Sequence, residues 1–325
     1  MSDGFEIMSL IADAITIASP VYKVCKSIIL ALSAKKGTND EALKNVKLGD
    51  LSNTLFKSGK ISCYQYCELK NFEMIAVKAD EYYSKMEGGS ESIEYEWDWI
   101  TRFYEAAKDV SDEMLQDLWA RILAGEIDGQ AGYSFRTIDV LKNMGREDAL
   151  LFGRVAKCMI HVGVRVFLPD NEEYLKQNGL TYEDVMNLNE MGLMHEISAN
   201  LNLDYKEKNQ QLFRNKEFMV LITTDNSDVI IDHIPIRNYA LTKVGEDLIF
   251  LQEACDLSDE NLMLFAGIFN ASQTGLRAEV HKINQDGSGD DYISIYTKDL
   301  LTGEETLSAD NMSFDCSRET TRDSI

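Results

Sequence analysis

Proline is nearly missing from this 325-residue chain, with three residues at positions 20, 169 and 235. With 20 glycines, that scarcity leaves little room for long disordered linkers. Basic residues are also short in supply, 32 against 55 acids, for a net charge of -23. Nucleic-acid affinity is built on Lys and Arg contacts to phosphate, so an unspecific grip on DNA or RNA is disfavoured. The charge reads first as a device for solubility. Histidine occurs four times, at 161, 195, 233 and 281. None lies in HExxH or beside a recognisable nucleophile, and neither a phosphate loop nor a GxGxxG turn is present. Lone histidines in or beside strands read as half-buried structural residues.

The six cysteines form no CxxC pair. Cys63 and Cys67 would share a helical face, yet no nearby histidine completes a zinc set. The cysteines read as small buried side chains in a reducing compartment. The opening MSDGFE is acidic, unlike the basic start of a secretory signal.

What the chain does have is helical periodicity. Ile7 to Leu32 is apolar, but Asp13, Pro20, Lys23 and Lys26 interrupt it, so it does not read as a spanning helix. Pro20 divides it into two short amphipathic helices, with Ser19 capping the second. Packing on the core is one use for them. The other is contact with a membrane surface or a partner, through Ile11, Ile15, Val21, Ile28 and Ile29. From Asp40 to Met86 the pattern stays helical, with Tyr66, Leu69, Phe72, Ile75, Ala76 and Ala79 on one stripe. Gly88 to Ser90 breaks it. Ile93 to Val110 repeats Trp97, Ile100, Tyr104 and Ala107. Ser111 then caps a helix ending near Gly125, with Trp119 in its core stripe. Ser134 caps another, ended by Gly145, and a third follows.

After residue 160 strands enter. Val162, Val164 and Val166 alternate up to Pro169. Thr181 caps YEDVMNLNEM, which ends at Gly192, and a short apolar segment follows. FMVLITT and DVIIDHI read as a hairpin about DNSD, and Thr242 caps KVGEDLIFLQEA. That order suggests a winged-helix-like unit. Ser258 caps a further helix, followed by the strands LRAEVHKI and YISIYTKDLL. The expected architecture is mainly α with a smaller α+β part: a helical bundle, the winged-helix-like unit and a C-terminal helix-plus-hairpin. The segments run 1–90, 91–160, 161–256 and 257–306, with a polar tail over 307–325.

Chemistry is harder to find. The glycine cluster Asp286 to Asp291 lacks the length and terminal Glu of an EF-hand and reads as a hairpin turn. Glu94, Glu96 and Asp98 suit a helix start, and Glu126 and Asp128 flank a loop. The helix Tyr182–Met191, where a recognition helix would lie, carries Glu183, Asp184 and Glu190 and no basic residue, so phosphate would repel it.

Several blocks carry a resemblance. Trp97, Phe103 and Ala107 lead into VSDEMLQDLWARILAGEI and SFRTIDVLKNMGREDALLF. Then come Gly179–Leu180–Thr181, Met191–Gly192–Leu193, ALTKVGEDL over 240–248 and AEVHKI over 278–283. Together, over residues 93–296, they resemble the bacterial domain-of-unknown-function family 2806. Leu118–Ala124, Ser134–Met144, Gly145–Ala149 and Leu241–Gly245 are similar to the abortive-infection alpha family, which implies a setting in phage defence. Neither resemblance supplies catalytic residues.

The expectation is a non-enzymatic bacterial or phage protein without a cofactor. It would be cytoplasmic or peripheral to a membrane through residues 7–32, and would bind a protein partner or itself. A DNA-associated regulator and a hydrolase or nuclease with dispersed carboxylates are the alternatives.

Overall fold

The computed structural model describes residues 19–34, 43, 45–86, 96–129, 132–162, 165–195, 197, 199–204, 212–214, 218–224, 233–249, 251, 258–272, 276–285, 291–298 and 305–313. Two compact units, Met1–Leu150 and Leu151–Ile325, divide it. The architecture is mainly α with a smaller α+β part.

The first unit contains α1 (Pro20–Ala34), α2 (Leu51–Lys57), α3 (Cys63–Tyr83), α4 (Trp97–Ala107), α5 (Glu113–Asp128) and α6 (Phe135–Asn143). Helix α7 (Arg146–Ala156) begins at its end. Pro20 sits in the first turn of α1, where a missing N–H costs nothing, and Ser19 Oγ accepts the Tyr22 N–H at 3.0 Å. Helix α3 is the hub and packs against α1, α2, α4 and α5. Leu69, Phe72, Ile75, Ala76 and Ala79 are buried, as their spacing predicts. Tyr66, placed on the same stripe, is only half-buried and donates its hydroxyl to Asn53. Aromatic rings continue the core. Phe72 meets Tyr104 edge-on at 5.0 Å, Trp99 stacks on Phe103 at 5.1 Å, and Phe103 meets Trp119 at 5.0 Å.

Four local expectations need correction. Trp99, not Trp97, is the fully buried tryptophan of α4, because its indole N–H reaches the Tyr133 carbonyl at 2.7 Å. Asp112, not Ser111, caps α5 by accepting the N–H groups of Met114 and Leu115. That helix runs past the buried Gly125 to Asp128 and stops at Gly129, whose φ of 76° favours glycine. Met144 rather than a left-handed Gly145 closes α6, and Gly145 donates its N–H to Asp148 instead.

One buried carboxylate joins α3 to α2. Glu73 is fully buried. Its Oε1 accepts N–H groups from Leu51 at 2.7 Å, Gly49 at 3.2 Å and Ser52 at 3.3 Å, while Ser52 Oγ donates to Oε2. Asp50 is the sequence-local cap of α2, but its side chain makes no capping bond. Glu73 does this across 22 residues, placing a negative charge at the positive end of the helix. Lys70 Nζ, 3.4 Å from Glu73 Oε2, balances it.

The second unit contains β1 (Ile160–Val162), β2 (Arg165–Pro169), α8 (Glu172–Gln177), α9 (Tyr182–Glu190), β3 (Ala199–Asp204), β4 (Leu212–Arg214) and β5 (Phe218–Thr224). There follow β6 (His233–Ala240), α10 (Lys243–Ile249), α11 (Asp259–Ser272), β7 (Leu276–Gln285), β8 (Asp291–Lys298) and β9 (Glu305–Ser313). Two antiparallel sheets result, ordered β1-β2-β6-β3 and β4-β5-β7-β8-β9. The single strand read through Val162 and Val166 is two, since Val162 pairs with Arg165.

Of the expected hairpin, most of DVIIDHI, residues 228–232, lies outside the described residues, and FMVLITT, which is β5, does not pair with β6. Strand β5 lies between β4 and β7, and β6 lies between β2 and β3. Phe218, Val220 and Ile222 are buried on β5, and α11 packs on β5 and β7. A helix 40 residues downstream therefore covers β5, which a local pattern cannot foretell. One sheet takes strands from both sides of residue 257 and from beyond 306. Strand β9, Glu305–Ser313, takes in residues 307–313 of the expected polar tail.

Two distant blocks meet at Gly245. Thr242 Oγ1 donates to the Gly192 carbonyl at 2.6 Å and accepts the Gly245 N–H at 3.2 Å, while the Thr242 N–H reaches Leu193 O at 3.0 Å. A Cβ on Gly245 would stand 2.1 Å from that same Leu193 oxygen.

Two substitutions test these joints. Glu73→Ala removes the acceptor of three N–H groups, two of them buried, and is expected to cost about 3 kcal/mol in urea unfolding of the full chain. Gly245→Ala is expected to cost about 3 kcal/mol through backbone displacement. Gly129→Ala, open but at positive φ, should cost about 1 kcal/mol. Equal losses at Gly245 and Gly129 would contradict the close approach.

Candidate interaction surface

The five N-terminal contact residues have separate fates. Val21 and Ile29 are fully buried in the first unit, and Ile28 is half-buried. Ile11 and Ile15 lie outside the described residues. Two of the proposed contacts are therefore spent on folding. Among the described residues no helix is long and apolar enough to cross a membrane.

The carboxylates singled out as unremarkable have different surroundings. Glu126 Oε2 accepts the Tyr133 N–H at 2.8 Å, so Tyr133 is held by Glu126 on one side and Trp99 on the other. Glu96 is the residue before α4 and Asp98 lies in its first turn. Glu94 lies outside the described residues. Asp112 is paired with Arg146, 2.9 Å away. That guanidinium and then the Leu115 N–H hold its carboxyl below the usual range. Asp128 is buried with Oδ1 lacking a hydrogen-bond partner. Among the described residues no three metal-ligating side chains gather. The 286–290 turn lies outside them, although β7 and β8 on either side pair antiparallel.

His161, His233 and His281 lie in β1, β6 and β7, and His195 is exposed. His281 is buried, and neither ring nitrogen has a hydrogen-bond partner. Glu279 Oε2 stands 3.6 Å from Nε2, beyond hydrogen-bond reach, and acts on the ring only as a charge. Burial dominates and lowers the His281 pKa below 6.5, with Glu279 opposing.

The helix α9 keeps its acidic face outward. Tyr182, Glu183, Asn187 and Glu190 are exposed, while Val185 and Leu188 are buried. Arg154, the nearest counter-charge, stands 3.5 Å from Asp184.

The corner between α2 and α3 differs. Phe56 is 43% exposed and Tyr64 is 69% exposed. The Phe56 ring lies against Tyr66, centroids 4.9 Å apart. Cys63 and Cys67 are exposed there as well. This corrects the expectation that the cysteines are buried, which holds for Cys25 and Cys158. Burial pushes those two thiols up, Cys158 to about 11. Residues 47–70 carry four lysines against two acids, in a chain that is otherwise strongly acidic. The available sequence signal was that Cys63, Cys67 and Tyr64 fall off the buried stripe of α3.

The His281 environment fixes a pH dependence. A group whose folded pKa is lowered contributes stability above its unfolded value, and that contribution is lost as pH falls from about 6.5 through the folded value. Thermal unfolding monitored from pH 7.5 to 5 should show the loss, and His281→Leu should remove that part of it. An unchanged slope in the variant would assign the acid sensitivity elsewhere.

The family described as protein of unknown function DUF2806 matches residues 59–260. The match starts earlier than the resemblance over 93–296 suggests, taking in the aromatic and thiol positions of α3, and it stops before AEVHKI. No curated protein and no solved structure matches the chain. The match covers more than half of the sequence, and the chain belongs to the DUF2806 family.

Proposed function

We propose that this chain is a non-enzymatic interaction protein whose α2–α3 corner binds an acidic protein surface, first of all that of a second copy. The exposed Tyr64 carries the reading. It is 69% exposed on the helix that carries Tyr66, whose ring meets the half-exposed Phe56, and it lies in a lysine-rich stretch. Aromatic side chains at a surface with apolar continuity are the usual anchors of protein contacts. Acidic surface is what this chain has in excess, so a head-to-tail contact between copies is electrostatically favoured.

The physiological setting follows from the likeness to the abortive-infection alpha family alone: self-association in response to phage. The acidic exposed face of α9 speaks against DNA as the partner.

Sedimentation velocity of the full chain tests the contact. Association should rise with concentration, weaken as salt is raised from 50 to about 300 mM, and fall about tenfold in affinity for Tyr64→Ser. A single monomeric boundary at every concentration, or identical behaviour of the variant, would sink the self-association. Phage plaque counts on cells expressing either form test the setting separately.

A further inference from the structure

We infer that the α2–α3 corner of one copy binds the acidic outward face of α9 in a second copy, so that chains join head to tail. This rests on the corner being a surface for self-association, and it names what that surface binds. The two surfaces are opposite in charge. Residues 47–70 carry four lysines against two acids, and Lys47 and Lys57 are exposed with no ion pair among the described residues. Residues 170–190 carry six acids against one lysine. Glu183, Asn187 and Glu190 follow one another at four- and three-residue steps along α9, and all three are exposed. That spacing puts them on a single stripe, with Val185 and Leu188 buried on the other side.

The acids of that region are not equally available. Asp184 accepts the Thr181 N–H at 2.8 Å and faces Arg154 at 3.5 Å, and Glu173 accepts the Gln177 amide at 2.7 Å. Glu183 and Glu190 have no such partner among the described residues. They can meet an incoming ammonium without first giving up an internal contact. Each surface also carries an aromatic ring, Tyr64 at 69% exposure and Tyr182 at 56%. The Tyr182 ring lies 6.5 Å from that of Tyr239, which limits the freedom it would lose on binding.

Symmetry then selects the arrangement. A two-fold dimer presses one patch against itself. Corner on corner would oppose lysine with lysine, and α9 on α9 glutamate with glutamate, and like charges across an interface cost affinity. Corner on α9 opposes lysine with glutamate. Screening beyond about 8 Å at physiological salt weakens the general repulsion of two acidic chains and leaves nearby charges to decide. Such a contact leaves a corner free at one end and an α9 face free at the other, so copies add into a chain or close into a ring.

Sedimentation of charge-reversed full chains tests the pairing. Lys47→Glu/Lys57→Glu and Glu183→Lys/Glu190→Lys should each weaken association about a hundredfold. The chain carrying all four reversals should recover it to within about threefold. At a concentration where neither associates alone, Tyr64→Ser and Glu183→Lys/Glu190→Lys chains should combine as one copy of each and grow no further. All four reversed positions are exposed and the capping box of Thr181 with Asp184 is untouched, so circular dichroism should not change. If reversal on α9 does alter the spectrum, Glu183→Gln/Glu190→Gln, with a loss of about tenfold, carries the result. A native chain that associates and is weakened by Tyr64→Ser, yet is unmoved by the α9 substitutions, overturns this partner and leaves the corner standing. A native chain that stays monomeric overturns both.

Discussion

A helix end buried without hydrogen-bond partners costs more than a short helix can repay. The first unit meets that constraint with Glu73, whose carboxylate reaches from the middle of α3 to the open N–H groups of α2. Helix α2 is only seven residues long and has little stability of its own. Its position, and with it the corner carrying Phe56, depends on a charge delivered from another element. Replacing that charge by a local cap would leave the helix formed but would remove one of its ties to α3, the others being the Tyr66 hydroxyl on Asn53 and the Phe56–Tyr66 ring contact.

The second unit solves the same problem with neutral groups. Tyr174 donates its hydroxyl to the Cys158 carbonyl, and the Asn261 amide donates to Lys157 O, so the chain leaving α7 is closed from α8 and α11. Asn270 pairs with both backbone groups of Ala278 and locks α11 to β7. Thr242 and Gly245 seal α10 onto the turn at 192–193. Phe56 and Tyr64 remain exposed at the corner between α2 and α3, in a stretch with four lysines against two acids.

Helix existence was readable because each long helix carries its own stripe, and caps such as Ser19, Ser134 and Thr181 announce themselves within four residues. Helix ends were less readable. Gly125 and Gly129 are both plausible stops, and only packing of the last turn around Ile127 and Asp128 separates them. Trp97 and Trp99 are similarly ambiguous by periodicity until Tyr133, 34 residues on, offers an acceptor to one of them. Strand partners were the least readable. FMVLITT alternates as a half-buried strand should, but alternation does not say which strand lies beside it or which helix covers it. The candidate site was partly legible: Cys63 and Cys67 could be put on one face, though not on the exposed one.

Local chemistry along the chain thus determined the helices, their caps and the acidic character, because propensity, side-chain period and charge act over a few residues. Sheet order, the reach of Glu73 to α2, the fit of Gly245 against Leu193 and the exposure of two thiols were decided only in three dimensions. Each depends on which groups lose water together, and that is a property of the packed chain.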